Sequence, residues 1–178
     1  MKLYITSGTA DYLLRFKETH PEETMILMEK NDSAMLVHET SGESLFKEPR
    51  KYEVIDSTGS ILHEEGFAML NNIPVTEEGR PVFEDRFLNR PKLVEHEPGF
   101  LSIRVLRPLS SNTYIILTIW ENESAFENWR QSKAYENAYK KHSTNTGVDF
   151  SKPSIFESAS YVSKYYINGR KEADSQVD

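Results

Sequence analysis

Apolar positions fall in short runs along this chain, and their spacing switches repeatedly between the period of a strand and that of a helix. Leu3 to Thr6 reads as a strand, and Asp11 to Glu18 as a helix with Leu13, Leu14 and Phe16 turned inward, closed by His20-Pro21. Met25 to Met28 and Ala34 to His38 then read as paired strands about the turn Asn31-Asp32-Ser33. A further turn, Thr40 to Ser44, leads to the strand Tyr52 to Ile55. These elements make a small N-terminal α/β lobe over residues 1–60, bounded by the turn composition of Asp56-Ser57-Thr58-Gly59.

Beyond it the pattern gives a strand (Gly66 to Val75), a helix (Thr76 to Asn89) and two strands (Gly99 to Leu106, Tyr114 to Trp120). Two helices and a last strand (Ser158 to Tyr166) follow. Thr76 is placed to cap the first of these helices, Pro81 lies near its first turn, and Phe83 and Phe87 mark its buried face. The order β-α-β-β-α-β predicts an α+β, ferredoxin-like domain over residues 66–167, with a polar tail at 168–178 expected to be disordered. Thr113 to Trp120 is apolar in both directions, so the sheet needs cover on both faces. Either a second copy in a homodimer or the N-terminal lobe of the same chain would supply it.

Composition narrows the function classes. At 178 residues, with 38% hydrophobic and 11% aromatic content, the chain is globular rather than disordered. It has no cysteine, hence neither disulfides nor thiolate chemistry, which agrees with a cytoplasmic location. Its apolar runs are too short for a signal peptide or a transmembrane segment. A formal net charge of -7 argues against nucleic-acid binding, which needs clustered Lys and Arg. Arg104, Arg107, Lys133, Lys140 and Lys141 leave a local basic patch open, although any one of them is read first as solvated surface charge. The five histidines show no metal-ligand spacing, and His38 on its apolar strand reads as a satisfied structural residue. Neither a nucleophile elbow nor a phosphate loop is present.

The chemistry concentrates in one block. After the strand ending at Trp120, Asn122 is a helix cap, and Ala125, Phe126 and Trp129 follow at helical spacing. Ser132 is placed to cap a second helix, on which Tyr135, Ala138, Tyr139 and His142 form one stripe. This strand, W-x-x-x-x-A-F-x-x-W, short-helix pattern resembles the IsdG-type heme-degrading monooxygenases of the antibiotic biosynthesis monooxygenase (ABM) superfamily. Met1 to Thr6 with Gly8-Thr9, His38 to Gly42, Tyr52 to Ile55 and Leu70 to Thr76 extend the resemblance to its HmoB-like and TRAP-like branch, which carries an extra N-terminal lobe.

The resemblance implies site roles. Asn71, which alternation places on one strand face with Ile73 and Val75, matches the asparagine that donates to the oxygen species on heme iron. Read from the residues alone it is a structural Asn bonded to backbone. Trp129 matches the tryptophan that distorts the porphyrin, against its plain reading as a core aromatic. Asn71 is expected to point into a cavity that Trp129 also lines. Tyr139 occupies the place of the heme-ligating histidine, and His142 lies nearly one turn further along, so either is the axial-ligand candidate. Two functions of different class follow. One is a heme-degrading monooxygenase, with heme as substrate and cofactor and an external electron donor as partner. The other is a TRAP-like regulatory or stress-response protein without catalysis. A cofactor-independent monooxygenase acting on a small aromatic molecule is a third.

Overall fold

In the computed structural model, which describes residues 1–132 and 155–167, eight antiparallel strands close one barrel. In chain order they are β1 (Lys2–Gly8), β2 (Thr24–Lys30), β3 (Ser33–Thr40), β4 (Arg50–Thr58), β5 (Gly66–Pro74), β6 (Phe100–Pro108), β7 (Thr113–Trp120) and β8 (Tyr161–Ile167). Helices α1 (Ala10–Glu18), α2 (Arg80–Leu88) and α3 (Glu123–Arg130) are interspersed. The order around the barrel is β1-β3-β2-β8-β5-β7-β6-β4. This is an α+β ferredoxin-like fold, preceded by an N-terminal α/β region whose strands complete the barrel.

Strand alternation divides the apolar residues into an inside and an outside. Leu3, Ile26, Val37, Tyr52, Leu70, Leu106, Leu117 and Ile167 belong to one buried cluster with members from all eight strands, which is the barrel interior. Outside, Leu13 of α1 packs on Met25, Ala34 and Leu36. Phe83 of α2 packs on Ile73, Ile103, Tyr114 and Ile116, and Phe126 and Trp129 of α3 pack on Phe67, Met69 and Trp120. Each such side chain contributes about 1.5–3 kcal/mol by leaving water, which is what holds three short helices to the sheet.

The doubly apolar strand is thereby explained. On β7, Ile115, Leu117 and Ile119 point into the barrel, whereas Tyr114, Ile116 and Trp120 point out under α2 and α3. The inner face is covered by β1 to β4 of the same chain, so barrel closure requires no second copy. One junction, β4 with β6, runs from Tyr52↔Pro108 to Thr58↔Ile103 with a bulge between Val54 and Asp56. The other, β2 with β8, has a single register pair, Glu29↔Tyr166.

Local signals set most element ends. Thr9 Oγ1 accepts from the Tyr12 amide at 3.3 Å, and Asn122 Oδ1 accepts from the Ala125 amide at 2.8 Å, each capping its helix. Asn31, at φ 49°, makes the left-handed step of the β2–β3 hairpin. The helix expected from Thr76 begins instead at Arg80. Thr76 Oγ1 accepts from the Gly79 amide at 3.0 Å and so closes a turn. The reason is tertiary: Phe156 bridges Val75, the Thr76 amide donates to the Ile155 carbonyl at 2.8 Å, and a Cβ at Gly79 would meet Ile155 at 2.6 Å. A distant segment thus holds residues 75–79 out of the helix.

Candidate functional site

β5 carries the candidate site on its outer face. Phe67, Met69, Asn71, Ile73 and Val75 alternate outward, whereas Ala68, Leu70 and Asn72 alternate inward. Asn71 pairs in register with Ile116 of β7 and Val162 of β8. It therefore sits between the cluster under α2 and the cluster under α3. Asn71 is 8% exposed, and its side chain makes no hydrogen bond among the described residues. Its backbone-bonded structural reading is not what is observed. Its amide thus stands on an apolar face with only a narrow access to solvent.

α3 brings Trp129 to the same outer face. Trp129 shares a cluster with Met69, the outward neighbour of Asn71 on β5. Its indole stacks on Trp120 with centroids 5.3 Å apart and planes 29° apart, and it is 2% exposed. Phe126 lies edge-on to Trp120, and the Trp120 indole N–H donates to Thr118 Oγ1 at 3.0 Å. Gly99, at φ +83°, lets α3 dock this closely, because a Cβ there would lie 2.4 Å from that of Ala125. Tyr135, Tyr139 and His142 lie outside the described residues.

Polar arrangements in three parts of the fold join residues that lie far apart in sequence. Beneath α2, Glu84 accepts from Arg107 and from the Tyr114 phenol, while Arg80 Nε donates to that phenol at 3.3 Å. The bond from Arg107, outweighing burial, holds the Glu84 carboxyl below its usual range, and burial followed by the Glu84 bond raises the Tyr114 phenol. The four residues come from α2, β6 and β7, with only the spacing of Arg80 and Glu84 visible in sequence.

Arg104 corrects the surface-charge reading. It is 6% exposed and points into the barrel, where its Nε donates to Glu39 Oε2 at 2.6 Å and its Nη2 to Glu39 Oε1 at 3.2 Å. Parity on β6 is the cause, since Leu106, two residues on, also faces inward. His38, 1% exposed under α1, has Nε2 2.8 Å from Glu23 Oε2 but leaves Nδ1 buried and unpartnered. The expectation of a satisfied histidine is therefore met at one ring nitrogen and not at the other. Among the described residues no group of three or more His, Asp or Glu side chains converges as a metal site would need. No described helix is long and apolar enough to cross a membrane.

Comparison with known proteins places these features in context. The family model described as antibiotic biosynthesis monooxygenase matches residues 66–141. The signal transduction protein TRAP of Staphylococcus epidermidis is 32% identical over 141 residues, which are 79% of this chain and 84% of that protein. The heme-degrading monooxygenase of Listeria monocytogenes is 28% identical over 151 residues, 82% of this chain and 89% of that one. Among solved structures, that of a major regulator of staphylococcal pathogenesis superposes with a TM-score of 0.81 at 27% identity, covering 93% of this chain and 98% of the other.

Proposed function

Because this chain belongs to the antibiotic biosynthesis monooxygenase superfamily, in a branch shared by TRAP-like regulators and heme-degrading monooxygenases, we propose that it is a TRAP-like regulatory protein without catalytic turnover. One observation carries this reading. Trp129, whose exposed face a distorting wall would need, is 2% exposed and stacked on Trp120. This supports reading the indole as a core aromatic packed on the barrel rather than as a wall for a macrocycle. The resemblance adds that Tyr139 stands where an iron-binding histidine is expected. A tyrosinate is a hard anion that favours ferric iron and opposes the reduction that oxygen activation requires. The greater identity to TRAP agrees with this.

A second reading, a heme-degrading monooxygenase, is favoured by Asn71. Its unpartnered, nearly buried amide on the face shared with Trp129 is what a donor awaiting a ligand looks like. In that reading Asn71 is the donor, Trp129 the wall, and His142 or Tyr139 the axial ligand. Heme when bound would supply the oxygen chemistry and also be the substrate, with an external reductant providing electrons. Titration with hemin followed by ascorbate separates the two. Failure to bind, or saturable binding with a Soret band that persists, supports the regulatory protein. Decay of the band with release of iron overturns it. If hemin binds, His142→Ala and Tyr139→Phe identify the axial ligand, since only loss of the true ligand shifts the Soret position.

A further inference from the structure

α3 is held to the barrel on two sides by different chemistry. On its inner side are Phe126 and Trp129. On its flank are Glu123 and Glu127, one turn apart, facing Tyr166 and Lys164 of β8, which are two residues apart on one strand face. The spacings match, at roughly 6 Å along the helix and 6.5 Å along the strand. The Tyr166 phenol donates to Glu123 Oε2 at 2.7 Å, and Lys164 Nζ donates to Glu127 Oε1 at 3.5 Å while standing 5.6 Å over the Phe126 ring. The bond to Glu123, before burial, raises the Tyr166 phenol above its usual range.

β8 is itself held unevenly. It pairs with β5 from Gly66↔Ile167 to Asn72↔Tyr161, yet with β2 only at Glu29↔Tyr166. Tyr166 is thus at once the residue that closes the barrel, the donor that holds α3, and an edge-on neighbour of Phe67 at 5.4 Å. We propose that α3 and β8 form one latch, in which Tyr166 ties the docking of α3 over the Trp120–Trp129 stack to closure of the β2–β8 seam, so that release of either loosens the other. The inference rests on neither reading of the function. It makes the stacked tryptophans the covered face of a movable helix, and it places the control of that movement on the far side of β8, at the weakest joint of the barrel.

Hydrogen exchange of the full-length protein, read by mass spectrometry, tests the coupling. In Tyr166→Phe the ring stays and one bond to a charged acceptor goes, so amides of α3 and of β2 should both exchange about three- to tenfold faster, with β6 and β7 unchanged. Lys164→Ala removes a half-exposed pair that does not reach β2, and should speed α3 less and leave β2 alone. The two tryptophans, at 120 and 129, give a second readout. Iodide quenching of their fluorescence should rise in Tyr166→Phe. Should Tyr166→Phe fold poorly, Glu123→Gln weakens the same bond from the helix side. Faster exchange in α3 with β2 unchanged overturns the coupling; no change in either, or equal acceleration in β6 and β7, overturns the latch.

Discussion

Asn71 and Asn72 are the same residue type, adjacent on one strand and both nearly buried, yet their surroundings differ completely. Asn72 points into the barrel and donates to the carbonyls of Leu70 and Tyr161 and to Ser163 Oγ, each at 3.2 Å. Asn71 points outward between two helix-covered clusters and makes no side-chain hydrogen bond among the described residues. Arg104 inside the barrel repeats the lesson of Asn72, with its guanidinium bound by both oxygens of Glu39 and by the carbonyls of Thr58 and Ile103. Interior polarity at these positions is built into the fold. At Asn71 no group among the described residues takes up the amide.

The contrast is broken most forcefully at Arg104. Arg104→Met strands the Glu39 carboxylate in the barrel and should cost about 3–5 kcal/mol in urea unfolding. Replacing both, as Arg104→Met with Glu39→Leu, should restore much of that loss, because no charge is left unpaired. A double variant as unstable as the single would show that the pair itself, rather than its desolvation, sustains the barrel.

Asn72→Ala comes next, with a loss of about 1–3 kcal/mol, since the two N–H donors that its amide shares among acceptors on β5 and β8 disappear. Glu84→Gln sharpens the comparison from the outer face, where the Glu84 carboxylate, unlike the Asn71 amide, has several partners. The Glu84 carboxyl is held below its usual range, chiefly by Arg107, so its contribution is present above the ordinary carboxylate pKa and is lost as pH falls through the depressed value. The variant should therefore be less stable than the wild type by about 1–2 kcal/mol near neutral pH, with the gap narrowing in acid. A gap independent of pH would refute that account.

The smallest effect is the most telling. Asn71→Leu should leave stability within about 1 kcal/mol of the wild type, or raise it, because an amide that makes no hydrogen bond among the described residues gives way to an apolar group of similar size. A loss comparable to that of Asn72→Ala would mean that Asn71 is structural after all, and the contrast between the two asparagines would fall.

Much of this could be read from pattern. The strands, α1, the cap at Asn122, and the inward Leu13 and Phe83 follow from period and cap chemistry, which act within a few residues. The placement of Asn71 with Ile73 and Val75 needed only strand alternation. Arg104 was misread because a single charged residue carries no mark of which face of a closed sheet it will occupy. Likewise the start of α2 was misplaced by four residues, since the chain at 155–157 that displaces it is nearly eighty residues away.

The sequence by itself determined the strands and helices and most of the faces they present, because side-chain period and capping are local properties of the chain, while its motifs carried the resemblance to a family. Only the tertiary structure decided that the barrel closes within one chain, that Asn72 is satisfied while Asn71 is not, that Trp129 is sealed against Trp120, and that Tyr166 joins a helix to a seam. Those outcomes depend on which distant strands meet and in what register. Pairing between distant segments is settled by shape and by the need to satisfy buried polar groups, neither of which leaves a periodic trace in sequence.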